Sequence, residues 1–481
     1  MDQTIFINFS GGIISPGTLL SILIATSKAG ITHVRFGLRQ QLLIEGPVYR
    51  TAILIAELEL LGICYEIDQN NYQNIISSYP SEEIFPSNSW VTEGVYKDIL
   101  DAIDFRLSVK VNICNANQSF TPILTGNINW IASPEAEHYW HLIVRFPKTN
   151  VTYEWDQLVY TNSIPKLTAQ IEKAIFENYE AFFDNNKASG SLLFSSIDQA
   201  NLILKPADKP INFPPFNLPY YEGLNKYNNN KYWLGIYRRD EMFNVTFLKK
   251  ICSLCLDTKL GQLCCTSWKT IIIKGIAETE KGLWNRLLEE FQVNMRHAAN
   301  ELNFQVEDHC AEGLAMKHFL VKHLGNDDTR TFGICFGIKT RRKSEVYSSI
   351  LIRRRYLINV LCIKLFAVYD ILCAKDFNPN ERTGEVFSSN NLKFMLPEQL
   401  RRAVIKHYHY KTGNLKTNIS KRIDNEKPIL IKPQYVHQCP DCLSIYSHLE
   451  YNDLPENESC TVCETEKKSF VAIENTTLIA L

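Results

Sequence analysis

The clearest chemistry in the chain lies near its C-terminal end. Cys439-Pro440-Asp441-Cys442 is followed, after 17 residues, by Cys460-Thr461-Val462-Cys463. Each C-x2-C pair sets two thiolates on one tight turn, and two such turns facing one another make a tetrahedral S4 site. That donor set suits iron or zinc. Four unliganded thiols in so polar a stretch would instead be oxidation liabilities. A segment of about 40 residues buries too little apolar surface to fold alone, so the metal is expected to supply folding free energy. Its aromatic supports are sparse: Tyr435, Tyr446, Tyr451 and Phe470. A closed four-thiolate site has no open position for substrate, so it carries electrons or braces structure and does no bond chemistry.

Other reactive residues are weaker candidates. Cys252, Cys255, Cys264 and Cys265 form C-x2-C-x8-C-C. The first pair falls one helical turn apart on a mostly apolar face, and the second pair is adjacent on a strand and points to opposite faces. These four are expected to be core thiols. His309, Cys310, His318 and His323 lie in a polar stretch that reads as helical, with Glu307, Asp308 and Glu312. His318 and His323 are five apart and share a helix face poorly. The His-Tyr-His-Tyr run at 407–410 reads as an exposed helix end. No Walker-type phosphate loop, dinucleotide-binding glycine motif, zinc-protease motif or nucleophile elbow is present, so no catalytic residue is assigned. Gly190 reads as a plain turn.

The elements that must position these groups alternate between strand and helix. Residues 4–9 read as a strand, and Ser15-Pro16-Gly17 opens a helix over about 17–28, with Ser15 as cap and Pro16 at the first position. Residues 32–45 read as a strand and 48–61 as a helix. Further strands fall within 123–131 and 138–146, and a helix at 165–184. After a Pro- and Asn-rich stretch come a strand at 232–238, a helix at 244–256 and a strand at 262–274. Helices are expected at 281–302, 344–373 and 397–409. Residues 18–46 and 246–275 share one pattern of helix, short turn, strand and closing glycine. Gly46 aligns with Gly275, Arg39 with Trp268 and Gln40 with Lys269. Two similar units about a pseudo-twofold axis would follow, with a cleft between them a common place for a ligand.

Five segments are expected: 1–204 and 232–410 as two α+β halves, 205–231 as the crossing between them, 411–433 as a polar linker, and 434–475 as the metal domain. The 481 residues are 45% hydrophobic, ample for a large core. Lys plus Arg is 51 and Asp plus Glu 52, a formal charge of -1, so the basic excess of a nucleic-acid binder is missing. Lys339, Arg341, Arg342 and Lys343, and Arg353 to Arg355, read as solvated basic faces. No secretory signal and no membrane span are expected, and with 14 cysteines reduced the cytoplasm is the expected compartment.

The stretch Cys-Pro-Asp-Cys-Leu-Ser-Ile-Tyr at 439–446 resembles the first knuckle of a rubredoxin. Residues 454–470, with Leu454-Pro455 before the cysteines and Phe470 after them, resemble the second. The resemblance implies one iron held by Cys439, Cys442, Cys460 and Cys463, cycling between ferrous and ferric, with a redox protein as partner. Leu443 and Glu464 stand where rubredoxins usually have glycine, Thr461 replaces a proline, and the tryptophan before Cys460 is missing. Zinc is the alternative metal. Residues 4–410 resemble the duplicated ferredoxin-like halves of siroheme nitrite and sulfite reductases, through the Arg39-Gln40 strand and its counterpart at 262–276. That resemblance implies an α+β fold of two such halves, and places Arg39 and Lys269 toward an anionic tetrapyrrole of siroheme type, whose carboxylates arginine would grip. The C-x5-C and C-x3-C pairs that hold the reductases' iron–sulfur cluster are missing. A reductase-like scaffold without that centre is expected, joined to an electron carrier. If the chain is an enzyme, the resemblance makes it an oxidoreductase.

Overall fold

A computed structural model of the chain describes all residues except 1, 69–70, 86, 228–229, 342–344, 361–362, 382–383, 426–434, 442–444, 448–450, 453–458, 461–462, 464 and 475–481. The chain divides into two compact units, Met1–His407 and Tyr408–Leu481.

In the larger unit, residues 2–67 form β1 (Asp2–Ile7), β2 (Ile13–Ile14), α1 (Pro16–Lys28), β3 (His33–Phe36), β4 (Leu42–Pro47), α2 (Val48–Leu60) and β5 (Glu66–Ile67). Then come β6 (Ile76–Ser77), α3 (Glu93–Ala102), β7 (Val111–Asn115), β8 (Ile128–Ala132), β9 (Tyr139–Arg145), β10 (Thr152–Glu154) and β11 (Gln157–Tyr160). Helices α4 (Ile164–Glu177), α5 (Tyr179–Phe182) and α6 (Gly190–Ser195) and strand β12 (Leu204–Pro206) follow. Next are β13 (Gly223–Tyr227), β14 (Lys231–Ile236), β15 (Phe243–Asn244), α7 (Val245–Asp257), β16 (Leu263–Cys265), β17 (Ile271–Ala277), α8 (Lys281–Glu290) and α9 (Ala299–Leu302). The unit closes with β18 (Phe304–Val306), α10 (Ala311–Asn326), β19 (Phe336–Lys339), β20 (Ile350–Val360), β21 (Ile363–Ala374) and β22 (Gly384–Asn391). Helix α11 spans Leu396–Asn425.

The repeat seen in the sequence is carried by the structure with a constant shift of 229 positions. β1 maps onto β14, α1 onto α7, and the turn at 37–41 onto that at 266–270. Both turns close alike: Gly37 N–H to Gln41 O at 2.9 Å and Thr266 N–H to Thr270 O at 3.0 Å. Gln40 and Lys269, at matching places, both hold a positive φ (57° and 58°). The helices start from side-chain caps, Ser15 Oγ accepting from Thr18 N–H at 3.0 Å and Asn244 Oδ1 from Phe247 N–H at 3.1 Å. Each cap is worth about 1 kcal/mol.

The first repeat is a ferredoxin-like β-α-β-β-α-β unit with sheet order β3-β4-β1-β5; in the second, the edge strand β13 comes before β14 instead of after α8. Each sheet is completed by a two-residue strand from the other repeat. β15 pairs with β3, and β2 with β16. Helices α1 and α7 pack against one another, and Leu19, Ile22 and Leu23 share one buried core with Leu248, Ile251 and Cys252. The repeats that open the expected segments 1–204 and 232–410 thus share one core.

A second tier is duplicated too. β6, β7 and β8 run parallel and are followed by antiparallel β9 and β11; β18, β19 and β20 run parallel and are followed by antiparallel β21 and β22. α4 comes after β11 in the first sheet, and α11 after β22 in the second.

Several expectations are corrected. The single strands at 32–45 and 262–274 are hairpins. The helix at 281–302 breaks into α8 and α9. The helix at 344–373 is instead the hairpin β20–β21, because its period is two: Ile350 and Ile352 are buried while Leu351 and Arg353 are half-buried. The crossing at 205–231 contains β13, and the linker at 411–433 is helical as far as Asn425. His407 is buried against Phe377, not exposed.

The smaller unit has three antiparallel strands: β23 (Tyr435–Gln438) lies between β24 (Ile445–Ser447) and β25 (Val471–Glu474). Tyr451 stacks on His437, with ring centroids 3.6 Å apart, and leans on Phe470 at 5.8 Å.

The strand exchange leaves no room at residue 12. Gly12 has φ 78°, and a Cβ there would sit 2.6 Å from the Cys265 carbonyl oxygen and 3.0 Å from the Gln40 side chain. Gly12→Ala is expected to lower folding stability by about 2 kcal/mol or more, as read from urea unfolding. An unchanged midpoint would show that the exchange tolerates displacement.

Candidate metal centre

The small unit brings three of its four predicted ligands together. The Sγ atoms of Cys439, Cys460 and Cys463 lie within 4.8 Å of one another. Cys439 directly follows β23, so the central strand delivers it. Cys460 and Cys463 sit on a turn closed by the Ser459–Glu466 bridge and by the Thr465 carbonyl, which accepts from Cys460 N–H at 2.7 Å. Cys439 and Cys460 are buried and Cys463 is exposed. Cys442 lies outside the described residues. A polar chain leads out of the site: Cys463 Sγ is 3.1 Å from Thr465 Oγ1, which donates to Asp441 Oδ2 at 2.6 Å. Among the described residues no other group of three or more His, Cys, Asp or Glu side chains converges in this way.

Cys252, Cys255, Cys264 and Cys265 are core, as their spacing suggested. Cys264 faces one hydrophobic cluster, while Cys265 faces the other with Cys252 and Cys255. Burial pushes the Cys252 thiol up to about 12 and that of Cys264 to about 11, so neither is a ready thiolate. The histidines do not converge. His309 lies before α10, its Nδ1 against Glu45 Oε1; His318 faces Asp240 at 3.7 Å, and His323 Nδ1 is 2.8 Å from the Phe319 carbonyl. Of the basic clusters, Arg353 and Arg355 both pair with Asp370, at 2.9 Å and 2.5 Å, and hold its carboxyl down at about 2. Arg342 and Lys343 lie outside the described residues.

Arg39 and Lys269 are both buried and both engaged by the protein. Arg39 donates to the Asn74 carbonyl through Nε at 3.1 Å and to that of Val111 through Nη2 at 3.1 Å, and its Nη1 is 3.6 Å from Glu345 Oε2. Burial draws its pKa down to about 9. Lys269 Nζ lies 2.7 Å from Glu241 Oε2 and 3.2 Å from Asp308 Oδ1. Burial opposes its charge, but the two carboxylates outweigh that and raise its pKa. Lys269 is thus held between two carboxylates, while Arg39 spends Nε and Nη2 on backbone carbonyls and leaves Nη1 buried without a hydrogen bond. Both side chains clamp the two hairpin turns to the second tier.

Sequence reasoning missed a buried polar group around Glu82. Its Oε1 accepts from Tyr96 Oη at 3.2 Å and Asn115 Nδ2 at 3.4 Å. Lys274 Nζ, held by Glu93, donates to the Glu82 and Tyr79 carbonyls at 3.3 Å and 3.1 Å. Glu82 also lines a pocket of about 250 Å³ with Phe85, Ser87 and Thr92. No local motif announces the group, because its members come from distant segments.

The body is thus a duplicated α+β fold of the NirA type. The NirA protein of Mycobacterium tuberculosis superposes with a TM-score of 0.64 over 84% of this chain and 80% of that chain, at 12% identity. At that identity the likeness is one of fold. No protein-family model and no curated protein matches the chain. No helix among the described residues is long and apolar enough to cross a membrane.

Burial lifts the Glu82 carboxyl from 4.5 to about 7. The unfolded chain ionises this group first, so the stability present below pH 4.5 is lost as pH rises to about 7. Glu82→Gln is expected to remove that slope. Thermal unfolding of both forms from pH 4.5 to 8 checks it, and parallel curves would mean that Glu82 ionises alike in both states.

Proposed function

We propose that the chain is an electron-transfer protein whose small unit carries one electron on a rubredoxin-type iron centre held by Cys439, Cys442, Cys460 and Cys463. The observation that carries this reading is the convergence of three of those sulfurs on one point. Iron bound there supplies a single ferrous–ferric step. The chain's own part is to hold the thiolates, keep Cys439 and Cys460 from water and leave Cys463 exposed toward a donor or acceptor protein. The NirA-like body, whose fold belongs with nitrite and sulfite reductases, links the carrier to nitrite or sulfite reduction. Siroheme chemistry in this body is not part of the reading: Lys269 is held between Glu241 and Asp308, and Arg39 spends Nε and Nη2 on backbone carbonyls.

Metal content and the visible spectrum of aerobically purified protein test the reading. The expected result is one iron per chain, with a red thiolate-to-iron band that bleaches on reduction and is lost in Cys439→Ser. Zinc and a colourless protein after iron-replete expression would overturn it in favour of a structural knuckle. In the iron form, Asp441→Asn is expected to raise the reduction potential. The Asp441 charge reaches Cys463 through Thr465, and one negative charge fewer favours the more negative, reduced site. Square-wave voltammetry of both forms reads the shift, and a lower potential in the variant would contradict the assignment.

A further inference from the structure

A pocket of about 270 Å³ opens between the first sheet and the segment after α3. It is no part of the metal centre and meets the Arg39 clamp at Asn74. Phe6, Tyr72 and Phe105 give it aromatic walls. Arg106 is exposed at its lining, with its guanidinium carbon 5.3 Å from the centroid of the Tyr72 ring. No carboxylate among the described residues comes within 4.0 Å of that cation, the range in which ion pairs form. Asn8 has one side-chain atom spoken for, Nδ2 donating to the Tyr72 carbonyl at 2.8 Å. Its Oδ1 is buried and has no partner. That atom is sealed from the pocket, so the acceptor within a ligand's reach is a carboxylate. Glu66 adds a carboxylate to the same lining. Cys64 lies at this pocket as an exposed free thiol.

These groups differ in what they ask of a ligand. The rings offer π-faces, Arg106 asks for an anion, and Glu66 asks for an N–H or O–H donor. We propose that this pocket is a binding site for a small planar aromatic carboxylate that bears a hydrogen-bond donor on its ring. The carboxylate meets Arg106, the ring lies among Phe6, Tyr72 and Phe105, and the donor faces Glu66. The site stands independently of the electron-transfer reading.

The test titrates the full chain with 4-aminobenzoate, benzoate and aniline. Ligand-observed NMR reads binding, and peptide mass spectrometry reads the rate at which iodoacetamide alkylates Cys64. 4-Aminobenzoate is expected to bind about fivefold more tightly than benzoate, the worth of one satisfied hydrogen bond, and to slow alkylation of Cys64 but not of Cys310. Arg106→Gln, an exposed change, is expected to weaken both carboxylates about fivefold or more and to leave aniline unchanged. Equal binding of aniline and 4-aminobenzoate would overturn the proposal, as would no binding of any probe at millimolar concentration. Binding that leaves the Cys64 rate unaltered would place the ligand elsewhere and overturn it too.

Discussion

Two strands of two residues each hold the body in one piece. β2 completes the sheet of the second repeat and β15 that of the first, so the edge amides of each hairpin find their partners across the pseudo-twofold axis. An unpaired edge is costly when buried and adhesive when exposed. The exchange removes both problems and fixes where α1 and α7 meet. It also sets the two hairpin turns side by side, close enough for Asp308 to accept from Leu38 N–H at 3.1 Å while pairing with Lys269.

The duplication gave the two turns one backbone and different chemistry. Gly12 corresponds to Glu241, and Gln40 to Lys269. In the second repeat that pairing is a buried ion pair. In the first, the missing side chain at Gly12 leaves Gln40 to bond the backbone of Ser77, Nε2 to its carbonyl and Oε1 from its N–H, each at 2.9 Å. A neutral amide satisfied at both ends carries no desolvated charge, whereas Lys269 needs two carboxylates to remain ionised in its setting. Similar backbones thus ended as one polar clamp and one ionic clamp.

What the sequence disclosed follows from the range of the forces involved. The repeat was legible because helix caps, turn glycines and strand ends are local signals: the glycines at 46 and 275 marked its closing end, while its start, read at 18 and 246, fell one residue out of the constant shift. The paired C-x2-C turns were legible for the same reason. The hairpin β20–β21 was not, since Arg353 to Arg355 suit a helix locally and become strand through Asp370 on the facing strand. The partners of Arg39 and Lys269 were hidden as well. Basic residues on a reductase-like strand suggest a ligand, and only the fold reveals Asn74, Val111, Glu241 and Asp308 already in place. Glu82 gave no signal because its environment is assembled from the segment after β6, α3, β7 and β17.

The exchange has a bearing on how the chain is made. β2 leaves the ribosome early, yet its mate β16 is synthesised roughly 250 residues later, on the order of 10–50 s at usual elongation rates. Through that interval the first sheet has an open edge where β15 will lie, and the hydrophobic face of α1 waits for α7. A nascent chain in this condition is a natural client for chaperones, and a stalled one presents a strand edge to its neighbours.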